Sequence, residues 1–368
     1  MLIHQLSLSN VRNIARAQLT LHPKLNIITG SNGAGKSSLL EALSIISAGK
    51  SFRTANIRKV IKEDADALTV FCTLQGPDGI QKIGLQRDLQ GGFKAKRDGK
   101  NLTRLVDVSK QLPIFIIYPG FYEQVAEKRA NRLKVFDWGV FHVEHNFFEL
   151  WSKYSKTLKQ RNALLKQIKS RVKSNDQLLY WNKTLSALGN ELNKSRLRYI
   201  DSISTIFQET LSNTKLKDSN IQLSYYRGFN KDHDFLSLLE ETSEKDILRG
   251  TTQIGPHRAD VRFLSSGQNI FEKASRGQQK MLVNALLISM IKRFSEDSGR
   301  ASMVCLDDLP SELDEYNQED LIAALSALPM AQILITAITE NSLPEAISGY
   351  NRHMFHVEHG MFQQRDLQ

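Results

Sequence analysis

The sequence predicts an α/β fold: a largely parallel sheet with helices on its faces, interrupted by a helical insertion. Three observations lead there. Short apolar runs end in glycines or acids and lead into helix-like stretches, as at Leu25 to Gly30 and Met303 to Asp308. Toward the C-terminus, strand-like and helix-like segments alternate, the pattern of a parallel sheet. Between Phe147 and Leu211 there is one glycine, Gly189, and no proline. The 368 residues are 41% hydrophobic and 24% charged, which suits a globular chain of two domains, or one domain with an insertion.

Residues 1–28 read as short strands with a turn, and 38–49 as a helix. Residues 67–98 read as antiparallel strands: "ALTVFCTLQ" and "QKIGLQRD" flank the turn "GPDG", and "GGFKAKRDGKN" repeats the turn signals. "LPIFIIYPG" is a further buried strand. Apolar residues then recur at 147, 151, 154, 158, 165, 168 and 172, with Arg161 filling one slot. A second series runs through Trp181, Leu185, Leu188, Leu192, Tyr199, Ile203 and Ile206, and "KSNDQ" separates the two. These spacings predict two antiparallel helices packed along apolar seams, a hairpin arm. Residues 146–215 hold 13 Lys and Arg against 5 Asp and Glu, a net +8 in a chain whose total is +10. Such an arm is either a solvated helical surface or a surface for a polyanion such as nucleic acid. Afterwards "IQLSYY" reads as a strand, "SRGQQKMLVNALLISMIKRFS" as a helix and "ASMVCLDD" as a buried strand. "NQEDLIAALSAL" reads as a helix and "AQILITAI" as a buried strand. One α/β head split by the arm explains this order, with its first half at 1–140, the arm at 141–215 and its second half at 216–368.

Cys72 and Cys305, the two cysteines, lie in apolar strand-like runs and read as buried reduced thiols. No basic stretch leads into an apolar core at the N-terminus, and no run approaches 18 apolar residues, so neither a signal peptide nor a membrane span is expected. The expected compartment is the cytoplasm. "FHVEH" at 141–145 recurs at 355–359, but no third or fourth metal ligand accompanies the paired histidines.

"GSNGAGKSS", from Gly30 to Ser38, fits the phosphate-loop pattern and sits between a strand and a helix, as that motif requires. The backbone of Gly30, Ser31, Asn32, Gly33, Ala34 and Gly35 would curl around phosphate, with Lys36, Ser37 and Ser38 opening the helix. Lys36 would reach the β- and γ-phosphates of ATP, and the Ser37 hydroxyl would ligate Mg²⁺. Asp307 emerges from the end of an apolar strand, where open α/β sheets bind ligands, and would hold the Mg²⁺ shell. Asp308 would polarise the attacking water.

A third segment, Ser275-Arg276-Gly277-Gln278, opens a helix, and Ser275 reads locally as its N-cap. The loop, this segment and the acidic strand end come in the order found in ATP-binding-cassette ATPases, which the chain resembles. The resemblance implies that Ser275, Gly277 and Gln278 complete the nucleotide site of a second subunit. "SELD", Ser311 to Asp314, falls where that superfamily's D-loop crosses the dimer interface. Ala337 stands where many cassette ATPases carry a histidine, which argues against fast hydrolysis.

Six further segments narrow the resemblance: "LSNVRNI", "KSFRT", "FDWGVFH", "IGPHRADV", "SRGQQK" and "LDDLPSELD". Together they resemble the RecF family of bacterial recombinational repair proteins over nearly the whole chain. That implies a slow, DNA-stimulated ATPase in which hydrolysis acts as a switch. It implies a homodimer formed on ATP that holds DNA at gaps and single-strand/double-strand junctions, and that works with RecR and RecO to load the RecA recombinase. Arg12 falls in a segment that contacts nucleotide phosphates in related chromosome-maintenance ATPases. The chain departs from the family after "LPIFII", where Tyr118-Pro119-Gly120 replaces a proline followed by an acid. Arg129 and Arg132 stand near the family's paired arginines. The alternatives are a structural chromosome-maintenance ATPase, which needs coiled coils of hundreds of residues, and the motor subunit of a membrane transporter.

Overall fold

The computed structural model describes residues 2–76, 79–171, 176–217, 219–271 and 273–365. Pro77 and Asp78 of the expected "GPDG" turn lie outside the described residues, as do Val172 and most of "KSNDQ". The chain divides into two compact units, Met1–Phe121 with Ser298–Gln368, and Tyr122–Asp297. The boundaries expected at 140 and 215 both fall inside the second unit.

The chain opens with β1 (Leu2–Val11), β2 (Ile14–Thr20), β3 (Leu25–Thr29) and helix α1 (Lys36–Ala48). It continues with β4 (Ala67–Gly76), β5 (Gly79–Asp88), β6 (Phe93–Arg97), β7 (Lys100–Leu102), α2 (Leu105–Ser109) and β8 (Ile114–Ile117). The second unit follows, with α3 (Phe121–Glu127) leading into it, then α4 (Arg129–Val143), α5 (Phe147–Lys169), α6 (Leu178–Ser212) and β9 (Gln222–Tyr226). Next come α7 (Phe235–Glu241), α8 (Ser243–Arg249), β10 (Asp260–Ser265), β11 (Gln268–Asn269) and α9 (Arg276–Ser298). The chain returns to the first unit with β12 (Ser302–Leu306), α10 (Leu309–Glu312), α11 (Glu315–Ala327), β13 (Ala331–Ala337), β14 (Arg352–Glu358) and β15 (Met361–Arg365).

The first unit holds two six-stranded sheets. One is antiparallel, in the order β2-β1-β4-β5-β6-β7. The other runs β15-β14-β3-β13-β12-β8 and is parallel except for its edge strand β15. In β3, β12 and β13 every residue is buried, the continuous apolar reading of strands covered on both faces. α1 is buried nearly all round, and its Leu39, Leu40, Leu43 and Ile46 join a core built from both sheets. Cys72 and Cys305 are buried and unbridged.

In the second unit α5 and α6 pack along each other as the periodicity predicts. Gly189, the glycine in that glycine-poor stretch, marks a close approach: a Cβ there would stand 2.6 Å from the Phe235 ring. The expected seam position of Arg161 is real. Its guanidinium is fully buried, 2.8 Å from Asp246 Oδ2, 2.7 Å from Thr252 Oγ1 and 2.7 Å from Asn182 Oδ1. Arg196 is likewise turned inward, forked onto Asp137 at 2.8 and 2.7 Å. The +8 of the arm therefore overstates its surface charge. A buried guanidinium must be paired, and these two face carboxylates from outside the arm. Arg132, near the family's paired arginines, is also buried and forked onto Asp260 at 3.0 Å through both Nε and Nη2. α7 and α8, short and weakly periodic, were not anticipated. The two "FHVEH" copies share no structure: the first ends α4 and the second lies in β14.

Candidate phosphate-binding and ATPase site

β3 delivers the chain into a turn, and α1 begins at Lys36. Ser31, Asn32 and Gly33 are exposed, while Ala34, Gly35 and Lys36 are buried. The Lys36 ammonium donates to the carbonyl oxygen of Gly30 and, at 3.0 Å, to that of Ser31. Burial holds its pKa below the usual lysine range, opposed by the charges of Asp308 and Asp307. A partly desolvated cation beside two carboxylates at a helix N-terminus is suited to receive phosphate oxygens. The adjacent serines diverge. Ser37 Oγ donates to Asp307 Oδ1 at 3.0 Å, while Ser38 Oγ donates to Asn13 Oδ1 at 3.0 Å.

The sheet order brings these parts together. β13 lies between β3 and β12, so Thr336 near its end reaches the acids that follow β12. Thr336 Oγ1 donates to Asp307 Oδ1 at 2.9 Å and accepts the Asp308 N–H at 2.8 Å. Asp307 is buried, and burial pushes its carboxyl above the usual range. The bonds from Thr336 and Ser37 and the charge of Arg53 oppose that rise. Asp308 adopts φ 49°, ψ 53° at the start of α10, a left-handed conformation that a non-glycine residue holds only where its surroundings fix it.

Ser37 and Asp307 offer a hydroxyl and a carboxylate oxygen from two elements at 3.0 Å from each other. Mg²⁺ takes hard oxygen ligands, commonly one or two from protein and the rest from phosphate and water. The donor set fits that ion. Among the described residues no cluster of three or more His, Cys, Asp or Glu could hold a metal, so the phosphates would complete the shell.

Arg12 lies in the turn between β1 and β2 and does not stand alone. Its Nε and Nη2 fork onto Glu41 at 2.8 and 2.9 Å. Glu41 is fully buried on α1, accepts the Ser51 hydroxyl at 2.6 Å and has Arg53 at 3.8 Å. Neither Glu41 nor Thr336 was picked out from sequence. The signal for Glu41 was present, a carboxylate inside the apolar run "LLEALSII". Thr336 carried no such mark.

Ser275, Gly277 and Gln278 belong to the second unit. Gln278 Oε1 accepts the Ser275 N–H at 2.9 Å, and Ser275 Oγ accepts the Gln278 N–H at 3.3 Å. This reciprocal capping box fixes the start of α9. Both side chains are exposed, and nothing lies within 4 Å of the position a Cβ would take on Gly277. The family departure at Tyr118-Pro119-Gly120 has its own partners. The Tyr118 ring stacks on Phe52 at 5.1 Å, and the Gly120 N–H donates to Glu312 Oε1 at 3.1 Å. Ala337 is buried at the end of β13.

Comparison with known proteins identifies the family. The family model described as the RecF/RecN/SMC N terminal domain matches residues 2–363. A DNA replication and repair protein RecF of Shewanella denitrificans is 35% identical over 360 residues, covering 98% of each chain. One from Pseudomonas aeruginosa is 36% identical over 369 residues, covering 99% of this chain and 98% of the relative. The solved structure of the recombination mediator protein RecF-ATPrS in the RecFOR pathway superposes with a TM-score of 0.86 at 25% identity, covering 99% of this chain and 98% of that one. An Smc head bound to the C-winged helix domain of ScpA shares the fold, with a TM-score of 0.57 at 14% identity over 100% of this chain and 98% of that one. The chain belongs to the RecF family of DNA replication and repair proteins, within the wider group of RecF, RecN and SMC head domains.

Proposed function

We propose that this chain is an ATP-switched DNA-binding ATPase. One observation carries the reading most directly: Ser37 of the phosphate loop bonds to Asp307, which Thr336 ties to Asp308. Phosphate binding, cation binding and water activation thus fall within one hydrogen-bonded group. The backbone of Gly30 to Gly35, with Ser37 and Ser38 at the helix start, holds the phosphates. Lys36 exchanges the carbonyls of Gly30 and Ser31 for phosphate oxygens. Ser37 and Asp307 hold Mg²⁺, which when bound offsets charge on the phosphates. Asp308, held in place through its own N–H, orients the attacking water and takes up its proton. Arg12, aimed by Glu41, adds a cation at the same end of α1.

ATP bound by one chain would be completed by Ser275, Gly277 and Gln278 of a second copy. Supporting this, Ser275 and Gln278 are exposed and cap each other, and Gly277 leaves room for a close approach. A dimer so formed holds double-stranded or gapped DNA and single-strand/double-strand junctions, in the cytoplasm, alongside RecR and RecO, and supports RecA loading. Hydrolysis is slow, is stimulated by DNA and releases the clamp. The arm helices are short for a chromosome-bridging coiled coil: α5 has 23 residues, about 35 Å of helix. No helix among the described residues is long and apolar enough to cross a membrane.

Gel filtration with ATP, with ADP and without nucleotide, each with and without gapped duplex, tests the reading. A dimer is expected with ATP alone and is expected to co-elute with the duplex. Ser275→Arg chains should bind ATP yet stay monomeric, and mixing them with Lys36→Ala chains should restore some ATPase activity. A chain that binds ATP and remains monomeric in every condition overturns the dimer mechanism.

A further inference from the structure

We propose that Asn13 is a positioning residue for the phosphate loop, holding it from outside in the shape that receives phosphate. The inference rests on the reading of Gly30 to Ser38 as a nucleotide-binding loop. Asn13 follows Arg12 in the turn between β1 and β2. Its Nδ2 donates to the carbonyl oxygens of Gly33 at 3.0 Å and Ala34 at 3.1 Å. Carbonyls only accept, so the amide nitrogen must face them. The Asn13 Oδ1 then faces Ser38, whose hydroxyl donates to it at 3.0 Å. One side chain therefore ties the β1–β2 turn to the later part of the loop and to the first turn of α1.

A second brace comes from far along the chain. The Gly360 N–H donates to the same Ala34 carbonyl at 2.8 Å. Gly360 forms the turn between β14 and β15, just after the second "FHVEH" copy. It has φ 78°, and a Cβ there would stand 2.5 Å from the Asn13 carbonyl oxygen. Glycine is required by both conformation and space. The second copy of the repeat is thus followed by a residue that supports the loop.

The consequence follows from peptide geometry. In a trans peptide the C=O and the following N–H point to opposite sides of the chain. Two donors hold the Ala34 carbonyl outward, so the Gly35 N–H is turned to the opposite side. The Ala34 N–H closes the loop's own turn onto Ser31 O at 3.2 Å. Without Asn13 the Gly33 carbonyl loses its side-chain donor and the Ala34 carbonyl keeps only the Gly360 N–H, so the 33–35 peptides are held less firmly for phosphate.

The test compares Asn13→Ala, Asn13→Asp and Gly360→Ala with the parent chain by calorimetric titration with ATP and with ADP, and by melting of the nucleotide-free protein. Asn13→Asp keeps the bond from Ser38 and removes both donors to the loop. The Kd for ATP and for ADP should rise together by about tenfold or more in each variant, the scale of one or two lost hydrogen bonds. The nucleotide-free melting temperature of Asn13→Ala should change little, because Asn13 is exposed. Lys36→Ala is the control for the underlying reading. If Lys36→Ala abolishes binding while the Asn13 variants bind as the parent does, the inference is wrong and the loop assignment stands. If Lys36→Ala binds normally, the loop assignment itself fails. A loss confined to Asn13→Asp, and larger for ATP than for ADP, would assign the effect to added charge and also overturn the proposal.

Discussion

Replacing Thr336 with valine removes one hydroxyl from the site while keeping its shape. That hydroxyl donates to Asp307 at 2.9 Å and accepts the Asp308 N–H at 2.8 Å, inside a fully buried strand. A hydrogen bond to a charged acceptor is worth about 1.5–3 kcal/mol, and one pKa unit corresponds to about 1.4 kcal/mol. The Asp307 carboxyl, already raised by burial, should therefore rise further once its strongest opposing bond is gone. In the proposed site, cation binding would need the carboxylate. As pH falls through the raised value the group takes up a proton and cation affinity is lost, while the nucleotide-free fold is relieved of a buried charge. Thr336→Val should thus need more Mg²⁺ at a given pH, and the acid limb of its ATPase profile should move toward neutral. The stranded Asp308 N–H should also lower stability, by about 1–3 kcal/mol in urea denaturation. Steady-state ATPase assays across pH at several Mg²⁺ concentrations read the shift. An acid limb that stays at the parent position, with unchanged Mg²⁺ dependence, would refute the claim that Thr336 tunes Asp307.

Asp308→Asn should bind ATP and Mg²⁺ but hydrolyse about 10²–10⁴-fold more slowly, measured in single-turnover assays; hydrolysis at the parent rate would move the general base elsewhere. Reversing Lys156, Lys159 and Lys166, all exposed on α5, to glutamate should weaken DNA binding. It should also flatten the salt dependence by about one unit of slope per lost phosphate contact; unaltered binding in a salt titration returns the arm to a solvated surface. His257 is half-buried between Tyr154, whose hydroxyl lies 2.8 Å from Nδ1, and the Thr252 carbonyl, and desolvation pushes its pKa down to about 4. Between about pH 6.5 and about 4 the unfolded chain binds this proton and the folded one does not, so stability should fall on acidification by about 3 kcal/mol at most. A His257→Gln chain should show a flatter decline in denaturation midpoints over that window, and an identical decline would exclude the histidine.

What could be read in advance was what is contiguous. The loop Gly30 to Ser38, the acids after Met303 to Leu306 and the arm seams are runs of neighbours whose spacing encodes their geometry. Even the odd member of the seam, Arg161, was visible as a break in an apolar series. What could not be read was the partner of each break. Asp246 lies 85 residues from Arg161, and nothing in "SEKDILR" marks that aspartate as buried. Asn13 and Gly360 were invisible for the same reason. Each is a common turn residue, and its importance comes from the Ala34 carbonyl that only the folded sheet brings near. Thr336 read as one more β-branched residue in a buried strand, because its hydroxyl matters only once β12 and β13 are paired.

The position of β3 has a consequence for how the protein is made. This strand carries the phosphate loop, and both its sheet neighbours, β13 and β14, come from the last part of the chain. At about 5–20 residues per second, roughly 300 residues of synthesis separate β3 from β13, a wait of about 15–60 seconds on the ribosome. Throughout that interval "LNIIT" has no strand to pair with on either side. A nascent chain in this state presents two open strand edges and an apolar face, the features that recruit holding chaperones and invite misassociation. Chains released early, anywhere before β13, should retain every residue of the phosphate loop and still fail to bind nucleotide.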